Sequence, residues 1–192
     1  MSSVSHSHHS APLAHGPAAR AGSTTTTAAV TSESVARYTF AGVRLLLGFE
    51  FLWAFGDKLF GWGLATPTDR AWINGGSPTE GYLGGVEGPF AGFFGSLAGN
   101  AVIDWLFMLG LLGIGAALTL GIGMRIAAGA GALLMLLMWM ASLPLANNPF
   151  VDYHLIDAVL LIALAAFLAG DTIGLGKQWA RLPLVKRFSV LR

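Results

Sequence analysis

Two short stretches of an otherwise apolar chain hold side chains that could do chemistry. The first, GFEFLWAFGDKLFG, sets Glu50, Asp57 and Lys58 among aromatic residues, with Arg44 just upstream; the second, VDYHLID, holds Asp152, Tyr153, His154 and Asp157. Carboxyls, an imidazole, a phenol and an ammonium in apolar surroundings are the groups needed to pass protons and to hydrogen-bond a carbonyl oxygen. Such a site suits a quinone head group, taken as substrate, or a small anion. Glu50, Asp57, Lys58, His154 and Asp157 are the candidate catalytic residues, and Arg44, Trp53 and Tyr153 the candidate binding residues.

Glu50 stands out among them. On an ideal helix, at about 100° per residue, Glu50 and Asp57 fall in line, Arg44 and Lys58 fall in line, and all four share a sector of roughly 140°. That sector is expected to face the interior of a helix bundle. An isolated charge near a bilayer centre costs about 2.5 to 3.5 kcal/mol on insertion scales, so each group must be paired, hydrated or used. Arg44 and Lys58 are long enough to reach toward an interface. Glu50 is too short, which leaves it as a proton-handling group or as a carboxyl that holds helices together.

The elements that must position these residues are membrane spans. The chain has 192 residues, 54% of them hydrophobic and 11% charged, with a net charge of +1. A near-neutral balance gives no argument for nucleic acid as a partner. Spans of about 20 residues consume most of the length. Four are expected: Thr39–Phe60, Ala101–Leu120, Ile126–Leu145 and Leu155–Ala169. The expected fold is an all-α four-helix membrane bundle, residues 37–174, between a disordered tail, 1–36, and a basic tail, 175–192.

Charge placement orients this map. Lys177, Arg181, Lys186, Arg187 and Arg192 follow the last span, Arg125 lies between the second and third, and Arg37 precedes the first. The positive-inside rule therefore puts both termini in the cytoplasm of a multi-pass protein of the cell membrane. Asp57, Lys58, Asp104, Asp152, His154 and Asp157 then gather at the outer end. Taken singly, Asp152 reads as a helix cap and His154 as an interfacial residue.

Between the first two spans lies a long outer segment, Gly61 to Asn100. Gly84, Gly88 and Gly92, then Gly95 and Gly99, recur every four residues, so a helix here would present a small-residue face. Pro89 and the glycines argue against an independent span, and a re-entrant or interfacial helix is expected. Most tryptophans read as anchors at the head-group level. In the N-terminal tail, His6, His8, His9 and His15 could hold a metal weakly, although a solvated tail is the simpler reading.

Several redox devices are excluded by residue type. There is no cysteine, hence no disulfide, thiolate-ligated iron–sulfur cluster or cysteine nucleophile. No histidine lies in the core of a span, so no haem is expected between helices. GIGMRIAAGAG, from Gly121, reads as a turn between spans rather than a dinucleotide loop. No intrinsic flavin or metal centre is expected; either would come from a partner.

The segment RLLLGFEFLWAFGDKLFG, with its Arg, following Gly and closing Gly-x-Lys, together with NPFVDYHLIDAVLLIALA and GDTIGLGKQW, resembles the DoxX-like membrane proteins over roughly residues 37 to 180. That family includes the DoxD-type subunit of thiosulfate:quinone oxidoreductase. The resemblance implies a four-helix membrane domain and, for some members, electron transfer into the quinone pool. Arg44, Gly48, Gly56 and Lys58 match the first span, and His154 and Asp157 the fourth. Thiosulfate would then bind near Lys58, and with no intrinsic electron relay either a direct reaction or a redox partner subunit would be required. The alternatives are a non-catalytic accessory subunit or a small proton-coupled transporter.

Overall fold

The computed structural model describes residues 22–192, with side chains from residue 31 onward; the histidines of the N-terminal tail lie outside the described residues. The chain divides into two units, residues 1–35 and 36–192. The described residues are entirely helical and irregular, without a strand. In order, the α-helices are α1 (Gly22–Phe60), α2 (Glu80–Leu83), α3 (Ala91–Gly95), α4 (Ala101–Leu120), α5 (Met124–Ala141), α6 (Tyr153–Ala166), α7 (Gly176–Trp179) and α8 (Pro183–Arg187).

Among the described residues, three helices are long and apolar enough to cross a membrane: Thr31–Phe60 within α1, α4 and α5. Only a third of each apolar window is buried within the protein. Leu46, Leu106, Leu109 and Leu133 point outward, each more than half exposed. A continuous apolar surface of this kind is stable against lipid and not against water. The chain is a multi-spanning membrane protein. α6 is apolar but has 14 residues, about 21 Å of helix.

Local chemistry accounts for the helix ends. The Asn100 side chain accepts from the backbone of Val102 and Ile103, and Gly121 turns left-handed at φ 73°, so α4 fills the expected range. α5 opens two residues early, at the left-handed Gly123, and stops at Ala141, four residues short of expectation. Pro144 supplies no N–H and restricts Leu143 before it. α6 starts at Asp152, whose carboxylate accepts from Leu155, and ends early because Leu168 is left-handed, φ 51°. α1 is already helical at Gly22, where the described residues start, well before Thr39, since nothing in the Ser/Thr/Ala run ahead of Thr39 breaks a helix.

The long outer segment does not form one helix. Gly88 and Gly99 both take left-handed backbone, φ 76° and 70°, so the four-residue glycine repeat never lies along a single face. Instead the segment is tied down residue by residue. Asp104 of α4 is buried and its Oδ1 accepts from Ser77 Oγ at 2.9 Å, Thr79 N at 3.1 Å and Thr79 Oγ1 at 2.6 Å. Tyr82 Oη lies 3.1 Å from Ser142 Oγ at the end of α5.

The core runs through α1, α4, α5 and α6. Met108, Leu118, Leu161 and Leu164 are fully buried, and Leu47 and Phe51 join them from α1. Gly48 and Gly115 let α1 and α4 touch: a Cβ at Gly48 would meet Thr119, and one at Gly115 would meet Leu52. Phe40, midway along α1, stacks on Phe167 at the end of α6 at 4.7 Å and sets the register of the two helices. The C-terminal segment folds back rather than trailing away. Arg125 Nη1 donates to the Ser189 carbonyl at 2.8 Å, and Arg192 pairs with Asp171 at 3.1 Å.

Candidate functional site

Arg44 is completely buried, and the two terminal nitrogens of its guanidinium are spent on backbone carbonyls, while Nε has no partner among the described residues. Nη1 donates to Leu118 O and, at 3.0 Å, to Thr119 O; Nη2 donates to Ile173 O at 2.6 Å and Thr172 O at 3.4 Å. Leu118 and Thr119 carry the orphan carbonyls at the C-terminus of α4, where a cation also meets the negative end of the helix dipole. Ile173 is left-handed at φ 49°, a conformation rare for a β-branched residue, and Arg44 takes its carbonyl. Around the guanidinium, Gly121 and Gly170 approach so closely that neither could carry a Cβ without meeting the other's backbone. Arg44 is a rivet for two chain reversals. It stands away from the other candidates.

The remaining candidates divide into two groups. From the Phe40–Phe167 stack, α1 and α6 run antiparallel, and each advances ten residues, about 15 Å, to Glu50 and Asp157. These two carboxyls therefore share a level, and Glu50 is within electrostatic range of both Asp157 and His154. Tyr153 completes this seam, within range of Glu50, Asp157 and Tyr82.

At the head of the seam, His154 is 3% exposed and its Nδ1 lies 2.7 Å from Asp152 Oδ2. Asp152 thus does two jobs, since its other oxygen accepts from Leu155 N at 3.4 Å as the cap of α6. With its Nδ1 proton donated to the carboxylate, a neutral His154 offers a lone pair at Nε2. Among the described residues this buried Nε2 has no hydrogen-bond partner. Tyr153 stacks on the imidazole at 3.9 Å between ring centroids and is itself 59% exposed.

Glu50 does not face the bundle interior as the shared sector suggested. It is exposed on the surface of α1. The buried stripe of the helix passes through Ala41, Arg44, Leu47, Gly48 and Phe51, and Glu50 lies about 100° around the helix from Phe51. A carboxyl on the lipid-facing flank of a spanning helix, within electrostatic range of a second carboxyl and of the buried His154, forms a polar seam open from the side.

Lys58 turns the other way, toward α4, with its ammonium 5.8 Å from the Phe107 ring centroid. It shares this direction with Arg44, as their alignment along α1 predicts. Asp57 is 2% exposed, and neither carboxylate oxygen has a hydrogen-bond partner among the described residues. It sits seven residues, about 10 Å, beyond Glu50 along α1. Trp53 belongs to an exposed aromatic row, 5.7 Å from Phe49 and 4.8 Å from Trp62. That row borders the Glu50 side of α1.

Two contributors escaped the choice of candidates. Asp152 orients His154 as well as capping α6, a double use that emerges only with the first turn of α6 in place. Tyr82 reaches the seam from the outer segment, and no spacing rule points to it. No group of three or more His, Asp or Glu side chains that could hold a metal ion occurs among the described residues. No family model, no curated protein and no solved structure matches the chain.

Proposed function

We propose that the chain is a four-span, DoxX-like subunit of the cell membrane that exchanges protons with a quinone at the α1–α6 seam. In this reading α6 is the fourth span, both termini are cytoplasmic, and electrons come from a redox partner subunit. One observation carries the reading: Glu50 and Tyr153 are exposed on an otherwise apolar surface, Glu50 within electrostatic range of the buried His154, which is paired with the part-buried Asp152. A lipid-soluble substrate arrives from the side, and this is where the polar groups open to the side.

The chemistry follows from the protonation states. Quinone becomes quinol by taking up an electron pair and two protons; the protein supplies the protons and the orientation, while the partner supplies the electrons. As imidazolium, His154 gives the Nε2 proton to a quinone oxygen; as neutral imidazole it takes that proton back from quinol. Asp152 holds the ring so that Nε2 is the exchanging atom. Glu50 and Asp157 carry protons to and from the seam, and Tyr153 hydrogen-bonds the head group. The donor class that the DoxX-like reading implies is thiosulfate, two of which couple to tetrathionate and release the electron pair.

The test is purified full-length protein in nanodiscs, titrated with a short-chain quinone and followed by tryptophan fluorescence, since Trp53 and Trp62 border Glu50. Saturable quenching is expected, weakened about tenfold or more by His154→Gln. Thiosulfate-dependent quinone reduction is expected only with the copurifying partner. Quenching that never saturates, or that is indifferent to both His154→Gln and Glu50→Gln, overturns the reading.

A further inference from the structure

At the opposite end of the molecule, α4 and α5 enclose an open apolar groove of about 410 Å³ that the seam does not use. Its α4 wall runs from Leu109 to Leu120 and its α5 wall from Gly123 to Ala130, with Trp179 at the mouth. Eleven residues of helix along the α4 wall extend about 16 Å, close to half of the roughly 30 Å hydrocarbon core of a bilayer. The groove is therefore one leaflet deep. Added Cβ atoms at Gly110 and Gly113 would meet nothing within 4 Å, so these glycines shape a channel rather than a helix contact.

The mouth has the opposite character. Trp179 is pinned there by a 2.5 Å bond from its indole N–H to the Leu191 carbonyl. Lys177 and Arg181 stand two residues to either side of it, and Arg125 precedes the groove residue Ile126; all three cations are exposed. A cleft as long as one leaflet, with exposed cations on the segments that meet its mouth, matches a single lipid chain under an anionic head group.

We propose that the α4–α5 groove holds one acyl chain of an anionic phospholipid, whose phosphate is met by Arg125, Lys177 and Arg181. Trp179 sits between chain and head group, the position for which its amphipathic ring is suited. The lipid fills the gap between α4 and α5 and fastens the C-terminal segment to α5.

Native mass spectrometry of the full chain, released from detergent with phosphatidylglycerol or phosphatidylcholine added, tests this. One retained phosphatidylglycerol per chain is expected, with phosphatidylcholine held much more weakly. Lys177→Gln with Arg181→Gln should weaken retention roughly thirtyfold, at about tenfold or less per charge, while Lys186→Gln with Arg187→Gln leaves it unchanged. Gly113→Leu fills the groove and should abolish retention; Gly113→Ala, which adds one methyl group to open space, should reduce it and keep the fold. Equal retention of both lipids, or phosphatidylglycerol retained undiminished by Gly113→Leu, overturns the proposal. So does a wild-type dimer that Gly113→Leu converts to monomer, since a second copy would then be the occupant.

Discussion

Two neighbouring stretches of α1 handle charge in opposite ways. At Arg44 the guanidinium meets four carbonyls, two glycine backbones close around it, and both chain reversals depend on it. Six residues further on, about 9 Å along the helix, around Glu50, polar groups are left over: among the described residues His154 Nε2 and both Asp57 oxygens lack partners, and Glu50 faces outward. Arg44 keeps one unpartnered atom, Nε, among the described residues, but its terminal nitrogens are both engaged in holding the fold. Polar groups that fold energy has not consumed are the ones able to meet a substrate.

The comparison predicts a graded split between stability and chemistry. Arg44→Ala is the most damaging change, because it leaves buried carbonyls unpaired at two turns; a loss of about 3–5 kcal/mol is expected, read as a collapse of the melting temperature in detergent. Arg44→Lys should recover only part of it, since an ammonium cannot spread over carbonyls from two segments as a planar fork does. If Arg44→Ala melts like the wild type, the rivet account fails.

Asp104→Ala should come next, at about 2–3 kcal/mol, because three donors from the outer segment lose their acceptor. Hydrogen exchange should show the loss confined to residues near Ser77 and Thr79. Loss of protection throughout the spans would mean that the outer segment and the bundle are one cooperative unit.

At the seam the expected order reverses. Asp152→Asn keeps a cap for α6 but not the carboxylate partner of His154, so stability should fall by about 1 kcal/mol or less while proton-coupled quinone reduction with the partner falls about tenfold or more. Glu50→Gln should cost less than about 0.5 kcal/mol, as expected for a surface position, and slow proton delivery without changing quinone affinity greatly. A Glu50→Gln protein that melts far below wild type would place Glu50 with Arg44 on the structural side.

How much of this could be read from the chain differs by element. The range of α4 was legible because Asn100 and Gly121 are local signals. The shared direction of Arg44 and Lys58 followed from helical periodicity, and both do turn toward α4. Periodicity misplaced Glu50, because a sector of 140° is wider than the buried stripe of a helix that has lipid on its other flank. The use of Arg44 was also out of reach: its acceptors lie 74 and 129 residues away in sequence, and backbone carbonyls leave no residue signature. Asp152 and His154 were recognised singly, but their pairing needed the first turn of α6 in place.

The most direct measurement is photo-crosslinking in nanodiscs with an azidoquinone, mapped by peptide mass spectrometry. The account predicts label between Phe49 and Trp53 on α1 and between Tyr153 and Asp157 on α6, competed by excess quinone and lost in His154→Gln. Label confined to the α4–α5 groove, or spread over the apolar surface and uncompeted, would contradict it.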